Sequence, residues 1–249
     1  MQIAGRPVVD DLSPARWVVT ALDGQLFGTV AGLVPPVFEA YARVFHPAVR
    51  YPDDELFGID SDEPDQDVTW AEVAAFNGRT AHPAMEWASI TGSWDFRGDD
   101  DQPGLWNDSP AEGHLPVSVA APLAAVLARH TTTPTACWFG VDNTVHGDAG
   151  PVLKLVNVGC LMVQGPVELA ASNFAPEPFE QSANLWWPAD GAWFVATDID
   201  LRTTYVGGSA ACIADLLAAD GLEAWQVPAD QRTTWDADTV NPPPPDRPS

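Results

Sequence analysis

Residues 184–208 read NLWWPADGAWFVATDIDLRTTYVGG, and the fold turns on how they are understood. Asn184 to Trp187 and Ala192 to Ile199 are apolar runs on either side of Pro188-Ala189-Asp190-Gly191. Those four are turn formers in the order a hairpin loop wants, so the segment predicts two antiparallel strands. Tyr205-Val206 predicts another short strand. Just beyond it, Ser209 stands where it can N-cap a helix whose Ile213, Leu216 and Leu217 face inward. Leu222 to Val227 returns as a strand.

The same reading extends upstream. Ala136 to Val141, Leu153 to Val158 and Cys160 to Val163 read as strands, and so does Arg16 to Thr20 (RWVVT), a β-branched run. Pro122 opens a helix with Leu123, Val126, Leu127 and His130 in one stripe. Thr69-Trp70-Ala71-Glu72 matches a capping box at the start of a short helix. Pro35 and Pro36 sit where a helix can begin, and Val37, Phe38, Tyr41, Val44 and Phe45 then recur at helical spacing. Hairpin signals outnumber strand–helix–strand units. The expected class is therefore α+β, a mixed or mainly antiparallel sheet with helices packed on one side. One globular domain is expected over 1–235, and a disordered Pro-rich tail over 236–249.

Composition narrows the milieu. Of the 249 residues, 35 are acidic and 11 basic, for a net charge of −24, and the bases are ten Arg and the single Lys154. Binding to a nucleic-acid backbone rests on neutralising phosphates, which argues against that partner class. The charge favours basic partners or cations. No run approaches the length needed to span a bilayer, and Met1 to Asp11 has no apolar core of a secretory signal, so a cytoplasmic protein is expected. Cys137, Cys160 and Cys212 are odd in number, lack paired spacing and read as buried free thiols.

Two acidic loops stand out, 52–67 and 93–115, the first with eight acids in sixteen positions. Loops this long are often functional. Trp94 and Trp106 lie in the second. Trp186 and Trp187 are adjacent on a strand and must point to opposite faces, so one of them would be exposed on a sheet covered on one side only. These four tryptophans are the candidate binding residues. The candidate metal pair is Asp198 and Asp200, which project to the same face if the strand runs through them. Such a pair can hold Mg²⁺ or Mn²⁺. FVATDIDLRT, residues 194–203, is similar to the DxDxT nucleophile motif of haloacid-dehalogenase-type phosphatases, but Arg202 holds the threonine's place and Thr203 comes one residue late. A DxD of metal-dependent glycosyltransferases is a looser likeness. No GxGxxG, GxSxG or HExxH is present.

The stretch 184–208, and PPVFEAYARVFHPA at 35–48, resemble segments of uncharacterised actinobacterial proteins. That resemblance implies no assigned activity. The expectation is an acidic, cytosolic binding protein without a cofactor, engaging a basic protein or cationic ligand, as an inhibitor or immunity-like protein would. The alternative is a metal-dependent hydrolase or transferase using Asp198 and Asp200.

Overall fold

A computed structural model describes residues 1–52, 64–94, 102–147, 150–155, 158–176 and 178–245. In chain order its strands are β1 (Gln2–Ile3), β2 (Arg6–Pro7), β3 (Ala40–Phe45), β4 (Ala48–Arg50), β5 (Gln66–Val68), β6 (Cys137–Asp142), β7 (Leu153–Lys154), β8 (Gly159–Gly165), β9 (Leu185–Pro188), β10 (Phe194–Thr197), β11 (Thr203–Gly208) and β12 (Ala224–Val227). The helices are α1 (Arg16–Leu22), α2 (Val30–Leu33), α3 (Trp70–Phe76), α4 (Trp87–Thr91), α5 (Val117–Ala128) and α6 (Ala210–Leu217). An eight-stranded sheet runs β12-β3-β11-β10-β9-β6-β8-β7, and every neighbouring pair in it is antiparallel. The protein is α+β.

The hairpin that decides this arrangement forms as its turn residues dictate. Gly191 N–H donates to Pro188 O at 2.9 Å, closing the turn, and Gly191 takes φ +66. A left-handed residue after such a turn feeds the chain back with the twist that the strands need. Trp186 meets Trp193 edge to face at 5.2 Å, and Trp187 stacks on Phe194 at 5.4 Å, so aromatic contacts hold both faces of β9–β10 in register.

Each face of the sheet carries its own core. On one lie the two longest helices, α5 and α6, over Phe139, Val163, Trp186, Val195 and Val206. On the other, α1 and α2 cover Tyr41, Leu185, Trp187, Phe194 and Tyr205. A third cluster joins Phe45 of β3 to Trp70, Val73, Met85, Trp87 and Trp106. In that cluster α3 begins with the expected capping box of Thr69 and Glu72, and Glu223 adds its carboxylate to the amides of Trp70 at 2.6 Å and Ala71 at 2.8 Å. Ser209 caps α6, accepting from Cys212 N–H at 3.1 Å.

Three elements differ from the sequence reading. Residues 40–45 are the strand β3, not part of a helix from Pro35. The strand pairs with β11 on one side and β12 on the other and is buried throughout, so both of its faces are occupied and period-two alternation disappears. Arg16–Leu22 is the helix α1, not a strand, because Val18 and Leu22 share one buried face at helical spacing. Pro122 lies inside α5, whose N-cap is Pro116. The stripe of Val119, Leu123, Val126 and Leu127 buried against the sheet outweighs the hydrogen bond that an interior proline removes.

Of the segment expected as a tail, residues 236–245 lie against the body and 246–249 lie outside the described residues. Asp238 accepts from His82 Nε2 at 2.9 Å, Asn241 bridges Thr80 N–H and O, and Trp94 Nε1 donates to Pro244 O at 3.2 Å.

Candidate functional site

A cleft of 460 Å³ opens where the β10–β11 loop, β3, the start of α4 and the segment 233–235 meet. Its floor is Arg43, whose placement follows from β3 being buried on both faces. The guanidinium is 2% exposed and spends its donors inside the protein: Nε to Thr203 Oγ1 at 3.3 Å, Nη1 to Pro83 O at 3.2 Å and Met85 O at 2.9 Å, Nη2 to Glu86 at 3.0 Å. It also lies over the rings of Phe45 at 4.7 Å and Trp70 at 5.7 Å. Burial holds the Glu86 carboxyl above the usual carboxylate range, although Arg43 opposes the shift.

The second guanidinium of the cleft is Arg202. It pairs with Glu112 at 2.9 Å and donates to Ser109 Oγ at 2.8 Å and Pro110 O at 2.5 Å, tying the 109–113 segment to the β10–β11 loop. Burial pulls its pKa down, with Glu112 opposing. Gly113 completes that junction. It has φ +79, and a Cβ there would stand 2.6 Å from Ile199 O, so only glycine lets the two segments meet.

Asp198 and Asp200 sit in this loop, and the strand ends before them at Thr197. The period-two argument for their shared face therefore fails, yet both line the cleft. Asp198 Oδ1 accepts from Asp200 N–H at 3.0 Å, and Leu201 N–H returns to Asp198 O at 3.2 Å. Asp198 is half-buried, with no ion-pair partner among the described residues, and burial raises its carboxyl above the usual range. Asp200 is exposed. Among the described residues no group of three or more His, Cys, Asp or Glu side chains is placed to hold a metal ion.

The four candidate tryptophans separate. Trp94 lines the cleft, half-buried, with its ring edge-on to Trp235 at 5.6 Å. Trp106 is 1% exposed: it packs on Trp87 at 5.3 Å and donates from Nε1 to Gln102 at 2.9 Å. Trp186 and Trp187 do point to opposite faces, but both are 1% exposed because both faces of the sheet are covered. Trp106, Trp186 and Trp187 are core residues. Of the acidic loops, 53–63 and 95–101 lie outside the described residues.

Sequence reasoning missed Glu86, Trp87, Glu112 and Trp235 in the cleft wall. A usable signal existed, since Glu86-Trp87, Trp94-Asp95 and Trp235-Asp236 each set a tryptophan beside an acid. The three cysteines are free and buried, as read from sequence. Burial pushes the thiols of Cys137 and Cys160 up to about 12 and that of Cys212 to about 11, leaving them unreactive. No helix among the described residues is long and apolar enough to cross a membrane.

Comparisons with protein-family models, curated proteins and solved structures give no match for this chain.

Proposed function

We propose that the protein is a non-catalytic binding protein whose cleft takes a positively charged group, carried by a basic protein or by a free cationic ligand. One observation carries the reading: four carboxylates line the cleft against two guanidiniums, and both guanidiniums are already spent on Glu86 and Glu112. Asp198 and Asp200 are the surplus. The same lining holds the half-buried Trp94 and the half-exposed Trp235, aromatic faces that attract cations. A net charge of −24 would bring such ligands in.

Titration with an Arg- and Lys-containing peptide and with tetramethylammonium, followed by tryptophan fluorescence, tests this. Saturable binding should weaken above about 0.3 M salt, where screening lengths fall below about 6 Å. It should be lost in the double variant Asp198→Asn, Asp200→Asn. Undiminished binding in that variant sinks the proposal. A melting midpoint that rises with millimolar Mg²⁺ or Mn²⁺ in the wild type, but not in the variant, would instead favour the metal-dependent hydrolase or transferase.

A further inference from the structure

The cleft is not lined by charge alone. Phe27 and Trp235 both line it while remaining 69% and 51% exposed, and Leu26, next to Phe27 in sequence, is 73% exposed. Exposed apolar side chains are ordinary when scattered singly over a surface. Two that line one acidic cleft, with a third adjoining, are not scattered. Hydrogen bonds brace the turn that presents them. Val30 N–H donates to Gln231 O at 3.0 Å, Ala31 N–H to Ala229 O at 2.8 Å and Thr233 N–H to Gly28 O at 2.9 Å, so residues 28–31 are tied to 229–233. Thr29 Oγ1 donates to Leu26 O at 2.7 Å. Gly28 has φ +75, and a Cβ there would stand 2.9 Å from Thr234 Cγ2. The backbone is thus fixed while the side chains of Leu26 and Phe27 stay in water. Ile199, between Asp198 and Asp200 in sequence, is a further exposed large apolar residue.

Resting on the cation-binding reading above, we infer that the occupant of this surface is a protein presenting an arginine or lysine flanked by apolar side chains. The cation serves the surplus carboxylates, and its apolar neighbours cover Leu26, Phe27 and Trp235. Charge removes three other occupants. A net charge of −24 opposes a second copy of this chain, a nucleic acid and an anionic lipid surface. A free small cation would satisfy the carboxylates and leave the apolar side chains in water. Of these, a basic protein surface alone meets both demands. Aromatic residues and arginine are also the types in which protein interfaces are enriched. The braced turn adds to the fit, because a surface already held in place loses little conformational freedom when it is covered.

Two peptides of equal charge test it on the full chain, acetyl-Leu-Arg-Leu-Arg-Leu-amide and acetyl-Gly-Arg-Gly-Arg-Gly-amide, titrated by tryptophan fluorescence. The leucine peptide should bind about tenfold tighter or more. That ratio should persist above about 0.3 M salt, where both affinities fall, because salt screens charges and not apolar burial. The double variant Leu26→Ser, Phe27→Ser should erase most of the leucine peptide's advantage. Both side chains are exposed, so its melting midpoint should stay near that of the wild type. The wild-type comparison stands even if the variant fails to fold. Equal affinity for the two peptides, or an advantage that survives the double variant, overturns the inference and leaves the cationic cleft intact. A chain that sediments as a dimer without peptide, and as a monomer in the double variant, gives the surface to a second copy and overturns it too. If neither peptide nor tetramethylammonium binds at low salt, the underlying reading itself has failed.

Discussion

Asp198 pulls in two directions at once. Burial disfavours its charged form, so its carboxyl titrates above the range of an unfolded aspartate. In the window between the unfolded and folded values the native state binds more protons, and stability falls as pH rises through that window. Asp198→Asn should therefore raise the melting midpoint at pH 7 to 8, give no gain well below the carboxylate range, and still abolish cation binding. Melting curves of both proteins across pH decide it, and a midpoint lowered at neutral pH would contradict the argument. Gly191 is a simpler case. Nothing stands within 4 Å of the Cβ it lacks, so a substitution there meets only the penalty of positive φ. Gly191→Val should cost about 1–2 kcal/mol, measured by urea denaturation, with the slope unchanged. An unchanged midpoint would mean that the turn relaxes at no cost. The sequence announced this turn because Asp-Gly has a local meaning that no tertiary contact needs to supply.

What sequence could and could not announce becomes plain in the elements. The caps of α3 and α6 and the β9–β10 hairpin were readable because short-range hydrogen bonds and turn geometry set them. β3 was not. Val37, Phe38, Tyr41, Val44 and Phe45 fit a helical stripe, and only the pairing of β3 with β11 and β12, far away in sequence, makes it a central strand. Arg43 compounded the difficulty, since a charge mid-run looks like the wet side of a helix, whereas here it is a fully bonded core group. The cleft was half readable for the same reason. Asp198, Asp200 and Trp94 carry their own signal, Glu86 and Trp235 carry a weaker one in a tryptophan set beside an acid, and Glu112 reaches the cleft only through long-range packing. Two substitutions probe these joints. Arg43→Ala leaves Glu86 buried without its cation and should cost about 3–5 kcal/mol, seen as loss of the cooperative unfolding transition at ordinary temperature or a greatly lowered midpoint. Glu223→Ala strips the acceptor from two amides at the start of α3 and should cost about 1–3 kcal/mol, with the capping box keeping the helix itself formed. A neutral outcome for Glu223→Ala in urea titration would show that water replaces the carboxylate freely.

The charge of the entire chain sets a final test, in which salt acts on two properties with opposite signs. A net charge of −24 spread over 249 residues makes the compact state repel itself. Between about 0.01 M and about 1 M NaCl the screening length falls from roughly 30 Å to roughly 3 Å, so that repulsion is largely removed. The attractive pairs lose less. Arg43–Glu86 is buried and poorly screened, while exposed pairs such as Arg129–Asp215, at 3.7 Å, contribute little at any salt. The melting midpoint should accordingly rise with NaCl, by about 2–4 °C for each kcal/mol of repulsion relieved. Cation binding should move the other way, because the field that destabilises the fold is also the field that draws a positive ligand toward Asp198 and Asp200. Tetramethylammonium affinity and melting midpoint, measured on the same samples across the salt series, should trace opposing slopes. If both fell together, salt would be dissolving attractive ion pairs, and those pairs rather than self-repulsion would dominate the electrostatics of the fold. If affinity held constant while the midpoint rose, the cleft would be recognising its ligand by shape and aromatic contact, with the surplus carboxylates serving solubility alone.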